Sequence, residues 1–248
     1  MKVKSILVSQ PEPQTENSPY FDLAQKHKVK IDFIPFIHVE GVDVAEVRRQ
    51  KINIPEHTAV ILTSRNAVDH FFRIAEEVRY EVPNELKYFC TSEAIAYYLQ
   101  KYVVYRKRKI YFGTATFQDL APLLKKHKKE KFLLPTSDVL KPEIPKILKD
   151  NKIKYDRCVM YNTVNSDLSH LADVKYDVLV FFSPSGIKSL FENFADFHQG
   201  ETRIAAFGTV TQKAAEDAGL RVDIKAPTPK YPSMTMALED YIREANKR

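Results

Sequence analysis

Residues 178–191, VLVFFSPSGIKSLF, repeat the plan of residues 59–72, AVILTSRNAVDHFF. Each runs from a strand-length apolar segment through a hydroxyl-bearing turn into a helix with apolar residues at helical spacing. With Ser183 laid on Ser64, Ile187 falls on Val68 and Phe191 on Phe72. A second pair follows at nearly the same spacing: Phe207 falls on Phe89, Ala214 on Ala96 and Leu220 on Tyr102. Two ordered matches at nearly one offset predict two domains of the same build. A chain of 248 residues, 44% of them hydrophobic, has the apolar content for two cores.

The richest copy is residues 203–238. Residues 203–207 suit a buried strand, Gly208 permits a sharp turn, and Thr209 or Thr211 is placed to cap the following helix. Alanines 214, 215 and 218 allow close packing, and Gly219 suits the left-handed end of that helix. A strand at 222–224 and a loop stiffened by Pro227, Pro229 and Pro232 lead into a helix over 234–243. Backbone donors and hydroxyls thus gather where a strand end faces a helix N-terminus, a natural site for an anion.

Upstream, the pattern predicts strands at 3–8, 30–37 (carrying Pro35) and 103–105, helices at 20–28, 67–77 and 93–101, and a helix at 117–126 capped by Thr116. Residues 153–164 read as extended and carry Tyr161 near their end. Residues 1–36 do not make a complete unit. They complete the C-terminal half if the chain leaves that domain early and returns late. The expected domains are therefore 1–36 with 166–248, and 37–165 inserted, with paired crossings near 34–40 and 158–166.

The chain carries a net charge of +6, much of it in 106–109 and 125–129. That excess is either a solvated lysine-rich face or an attraction for a polyanion, and charge does not choose between them. Nucleic acid is disfavoured, because no recognisable binding module is present and aromatics are not set regularly among the basic residues. No apolar run reaches membrane-spanning length, and the N-terminus reads as a strand rather than a signal peptide. Cys90 and Cys158 share no short spacing, which fits a reduced, cytoplasmic protein. The seven histidines are scattered without metal-ligand spacing, so no metal is expected.

Glycine-rich phosphate loops, nucleophile elbows and zinc-protease motifs are missing, and the chain has only 6 glycines. Hydroxyls stand at strand ends instead: Thr63 and Ser64, Thr91 and Ser92, Thr136 and Ser137, Ser183 and Ser185, Thr209 and Thr211. In open α/β sheets such ends line the ligand crevice. Each hydroxyl either caps its own helix or faces a ligand. Their repetition favours two domains offering hydroxyls and amides across a shared cleft.

TSRNAV at 63–68, FSPSGI at 182–187, VMYNT at 159–163 and FGTVTQKAAEDAGL at 207–220 resemble the uroporphyrinogen-III synthase family, in order and over essentially the whole chain. The resemblance implies two α/β domains with parallel sheets flanked by helices, joined by a two-stranded extended linker, the first domain built from both chain ends. It implies a lyase of tetrapyrrole biosynthesis that closes hydroxymethylbilane to uroporphyrinogen III, inverting the last ring and losing water, with no metal or cofactor. The route it implies passes through an azafulvene and a spiro intermediate. Tyr161 matches a family tyrosine placed near the departing hydroxyl, as a hydrogen-bond or proton donor; the alternative is a linker tyrosine packed between domains. Substrate carboxylates are expected at Thr63, Ser64, Thr91, Ser92, Ser183, Ser185, Gly208, Thr209, Val210 and Thr211. Departures are Val210 where relatives carry a small polar residue, Cys90 where a glycine is usual, and Lys230 near a common threonine. The expected protein is a monomer acting on a small polycarboxylate, with neither nucleic acid nor membrane as partner. The competing reading is a non-catalytic two-domain protein that closes on an anionic small ligand.

Overall fold

Short apolar runs, each followed by an amphipathic helix, dictate the architecture. In the computed structural model, which describes residues 2–172 and 174–247, the chain opens with β1 (Ser5–Val8), α1 (Pro19–His27) and β2 (Lys30–Phe33). It continues through β3 (Ile37–Gly41), α2 (Val44–Arg49), β4 (Ala59–Leu62), α3 (Arg65–Glu77), β5 (Lys87–Cys90) and α4 (Glu93–Tyr98). Then come β6 (Ile110–Phe112), α5 (Phe117–Lys126), β7 (Phe132–Ser137), α6 (Glu143–Asp150) and the long β8 (Tyr155–Asn165). The chain finishes with β9 (Val178–Phe181), α7 (Pro184–Asn193), β10 (Arg203–Phe207), α8 (Thr209–Asp217), β11 (Val222–Ala226) and α9 (Met234–Asn246).

Two compact units result: Met1–His38 with Val164–Arg248, here the terminal unit, and Val39–Thr163, the inner unit. Their boundaries fall inside β3 and β8, which are hydrogen-bonded neighbours. The terminal sheet runs β11-β10-β9-β1-β2 and the inner sheet β3-β8-β7-β4-β5-β6. With β9 laid on β4 and β10 on β5, β11 takes the place of β6, β1 that of β7, and β2 that of β8. The N-terminal strand pair therefore stands where the inner unit uses its own last two parallel strands. The pairs β1/β2, β1/β9, β9/β10, β4/β5, β4/β7, β5/β6 and β7/β8 are parallel.

Both sheet faces are covered, as parallel sheets require. In β4, Val60 and Leu62 enter a core with Phe71, Ile74 and Leu99, while Ala59 and Ile61 enter the opposite core with Phe132, Leu120 and Leu148. In β9, Val178 and Val180 pack with Ile6, Val8 and Leu238, while Leu179 and Phe181 pack with Ile187 and Leu190. The strand period of two thus feeds two cores per unit. Among the described residues no helix is long and apolar enough to cross a membrane.

Three local expectations need correction. Residues 30–37 are not one strand: β2 ends at Phe33 and β3 starts at Ile37, with Pro35, which has no ladder donor, between them. The inner sheet's edge strand is Ile110–Phe112 rather than 103–105. Val104 is 79% exposed, and a turn closed by Lys109 N donating to Arg106 O delays pairing until Ile110 reaches Tyr88. Neither Thr209 nor Thr211 caps α8. Gly208, at φ 86°, is the N-cap, so the helix starts early enough to place both threonines inside it. Thr116, by contrast, caps α5 in a capping box with Asp119, and Gly219 takes φ 80° after α8.

Candidate active site

Parallel pairing brings the carboxyl ends of β7, β4, β5 and β6, and the later part of β8, to one edge of the inner sheet. Ser64 follows β4 in extended backbone and is the N-cap of α3; its Oγ accepts from Ala67 N at 3.0 Å. The same oxygen lies 3.3 Å from the Tyr161 hydroxyl.

Tyr161 reaches that place through an irregularity in β8. The register passes from Thr136↔Val159 to Ser137↔Tyr161, so Met160 has no partner of its own, as in a bulge that re-aims a side chain. Arg157 secures the facing turn, its Nε donating to Thr136 Oγ1 (3.0 Å) and its Nη2 to the carbonyls of Ser137 (3.0 Å) and Asp138 (2.8 Å). Asp138 N donates to Tyr161 O, and Asp138 Oδ1 accepts from Thr163 N. Tyr161 is 7% exposed. Burial pushes its phenol up from the ordinary value, against the opposing pull of hydrogen bonds with Ser64 and the Ser137 backbone.

The other expected residues divide between the two sheets. Thr91 is buried, and its Oγ1 donates to Thr63 O at 3.4 Å, while Thr63 itself is half-buried. Ser92 is the N-cap of α4 but makes no side-chain cap bond. In the terminal unit, Ser183 is the N-cap of α7, its Oγ accepting from Gly186 N at 3.2 Å, and Ser185 lies in the first turn of that helix. Gly208 N donates to Ala226 O at 2.6 Å; Thr209 and Val210 stand exposed in the first turn of α8, and Thr211 is buried at 3% exposure. Ser64, Thr63, Thr91, Ser92 and Tyr161 therefore share the inner edge. Ser183, Ser185 and Gly208 to Thr211 share the corresponding edge of the terminal sheet.

His70 was not among the expected residues. Its imidazole stacks on the Tyr161 ring, with centroids 4.9 Å apart and planes 18° apart. Its only sequence signal is its place one to two turns after the Ser64 cap, on the helix that faces β8. Among the described residues no group of three or more His, Cys, Asp or Glu side chains could hold a metal ion.

A family model described as uroporphyrinogen-III synthase HemD matches residues 19–236. The uroporphyrinogen-III synthase of Chlorobaculum parvum is 24% identical over 263 residues, covering 97% of this chain and 100% of that protein. The crystal structure of uroporphyrinogen-III synthetase from Helicobacter pylori 26695 is similar in fold, with a TM-score of 0.62 at 18% identity, covering 98% of this chain and 100% of that one. A mutant uroporphyrinogen III synthase from the extremely thermophilic bacterium Thermus thermophilus gives a TM-score of 0.57 at 15% identity, covering 99% and 100%.

Proposed function

The chain belongs to the uroporphyrinogen-III synthase family, and from that premise we propose that Tyr161 is the proton donor in its reaction. The enzyme is a cyclising hydro-lyase of tetrapyrrole and heme biosynthesis. It closes the linear hydroxymethylbilane to uroporphyrinogen III, with inversion of the last ring and loss of water. The binding-only alternative is not favoured, because the family match runs through both units.

The Ser64–Tyr161 hydrogen bond at the carboxyl edge carries the reading. Ser64 Oγ already accepts from Ala67 N, so its own hydrogen is available for the phenol oxygen. Either hydroxyl can donate in this pair, and with Ser64 as the donor the phenol hydrogen is left for the substrate. A phenol raised by burial is fully protonated at neutral pH and able to donate. It gives its proton to the terminal hydroxyl as the carbon–oxygen bond breaks, so that water departs and a protonated azafulvene remains. After the spiro intermediate fragments, the unsubstituted pyrrole carbon that closes the ring loses its hydrogen, and that proton restores the phenol. Ring inversion itself follows from how the bilane is held, since orientation selects the attacking carbon.

The substrate's carboxylates need donors, and each unit offers a row of them at its strand ends. They are the free amides opening α3, α7 and α8 and the hydroxyls of Thr63, Ser92, Ser183, Ser185 and Thr209; the Gly208 amide is taken by Ala226 O, Ser64 is given to Tyr161, and Thr91 and Thr211 are turned inward. At Val210, 70% exposed, the backbone is the donor. The working form is taken to be a monomer in the cytoplasm, where the free thiols Cys90 and Cys158 persist. Freshly made hydroxymethylbilane incubated with the pure protein should give the type III isomer. The Tyr161→Phe enzyme should give it far more slowly, and wild-type turnover in that variant would sink the proton-donor assignment.

A further inference from the structure

Behind the Ser64–Tyr161 pair, the inner unit holds a run of contacts that the proton-donor role does not itself require. Arg73 Nη2 donates to Val42 O at 2.8 Å and to Met160 O at 3.0 Å, and its Nη1 donates to Glu77 Oε1 at 2.7 Å. Its Nε donates to His70 Nδ1 at 3.1 Å. A guanidinium can only donate, so Nδ1 is bare and the imidazole proton sits on Nε2. Burial first, and then the charge of Arg73, hold the His70 pKa below its usual value against Asp69, so the ring is neutral at pH 7. Its face lies on the Tyr161 ring at 4.9 Å. The Arg73 guanidinium, bonded to the ring's Nδ1, lies over Gly41, where an added Cβ would come 2.9 Å from Cζ and Nη2. A glycine there leaves room for a guanidinium already tied to four partners.

We propose that His70 is a positioning residue for Tyr161, clamped by Arg73 in the space that Gly41 leaves open, and that this clamp keeps the phenol on Ser64. Arg73 holds both ends of the arrangement: it fixes the ring that stacks on Tyr161 and the carbonyl of Met160, the residue just before it. The register against β7 skips Met160, and its carbonyl is held from the other side by Arg73 Nη2 and by Val42 N, both at 3.0 Å. A proton donor must stay within hydrogen-bond reach of the departing oxygen, and a misplacement of about 1 Å can cost on the order of a hundredfold in rate. The proposal rests on Tyr161 acting on the substrate.

Gly41→Ala is the sharpest test, because it keeps Arg73, His70, Tyr161 and Ser64 and the atoms its Cβ meets first are those of the guanidinium. Gly41→Ala and His70→Ala should each lower kcat about tenfold with KM unchanged. His70→Phe, which restores a flat face but gives Arg73 Nε no acceptor, should recover only part of the lost kcat. In a Tyr161→Phe background, Gly41→Ala and His70→Ala should cost no more than about twofold further, because their effect passes through the phenol. A full further loss in that background, or wild-type kcat in both single variants, overturns the proposal. Ring placement is read without activity by NMR of the full chain carrying ¹³C-labelled tyrosine, the Tyr161 signal being the one missing from Tyr161→Phe. That signal should move in Gly41→Ala and in His70→Ala; an unmoved signal overturns the clamp whatever the rates show. If it moves while Tyr161→Phe keeps wild-type turnover, the proton-donor reading is what fails and the clamp stands as ring placement alone.

Discussion

Ser64 Oγ stands 3.3 Å from the Tyr161 hydroxyl, although 97 positions separate the two residues in the chain. The same oxygen caps α3 through Ala67 N. One atom thus ties the start of a helix to the phenol assigned as proton donor, and the consequences of removing either group can be told apart.

Tyr161→Phe keeps the ring and its stack on His70 and loses only the hydroxyl. Formation of uroporphyrinogen III should slow by at least about tenfold, allowing water as a partial substitute. Stability should fall by only about 1 kcal/mol, the worth of one hydrogen bond. Initial rates and urea titrations on the same preparation check both halves.

Burial raises the Tyr161 pKa, so the folded protein favours the neutral phenol. The stability this contributes is complete below the unfolded value of about 10 and is lost as pH rises through the folded one. The kcat profile should therefore show no alkaline fall from Tyr161 below about pH 10. A fall centred near neutrality that disappears in Tyr161→Phe would contradict this.

Ser64→Ala and Ser183→Ala each delete a side-chain cap, of α3 and α7 respectively. Both should cost about 1 kcal/mol in denaturant titrations. Only Ser64→Ala should lower kcat, since only Ser64 touches Tyr161. Ser183→Ala should act on KM, and equal kcat losses in the two would argue against the assignment.

Asp119 accepts from the Thr114 hydroxyl (2.7 Å), from Thr116 N and Oγ1 (2.9 Å each) and from Ala115 N (3.2 Å). These donors, the Thr114 hydroxyl foremost, hold its carboxyl well below the usual range. The stabilisation is present above the unfolded pKa of about 3.9 and is lost as pH falls through the folded value. Asp119→Ala should lower Tm by a constant amount from pH 7 down to about pH 4, with the gap narrowing only in stronger acid. Thermal melts across that range check it.

Cys90 and Cys158 are buried, and burial pushes their thiols up to about 12 and about 11. Thiolate is the reactive form, so neither should react with an aromatic disulfide reagent in the native protein at neutral pH. Both should react on unfolding in urea. Rapid labelling of the folded protein would show that one of the cores opens easily.

Much of the fold was open to reading because it depends on local pattern. The runs at 59–62 and 178–181 are apolar at every position, which suits strands covered on both faces, and they were readable as such. Thr116 with Asp119 three residues on is a cap visible in one dimension. Residues 103–105 misled because Val-Val-Tyr has strand propensity in isolation. Strand identity depends on a partner, and Tyr88 pairs with Ile110. Thr209 and Thr211 misled because the turn chemistry of Gly208 outranked the hydroxyls beside it.

By itself the sequence determined the α/β character, the two like units, the family and the strand-end location of the hydroxyls. These follow from periodicity, spacing and short motifs, which are properties of neighbouring residues. Tertiary structure alone decided that Ser64 and Ser183 are capping atoms, that Thr91 is turned onto Thr63 O, and that Ser92 is not used as a side-chain cap. It also decided that His70 lies against Tyr161, with Arg73 behind it over Gly41. Hydrogen bonds and ring contacts require atoms within about 3–5 Å. Which distant residues come that close is set by the strand register, the irregularity at Met160 and the packing of α3, none of which is carried by any one stretch of chain.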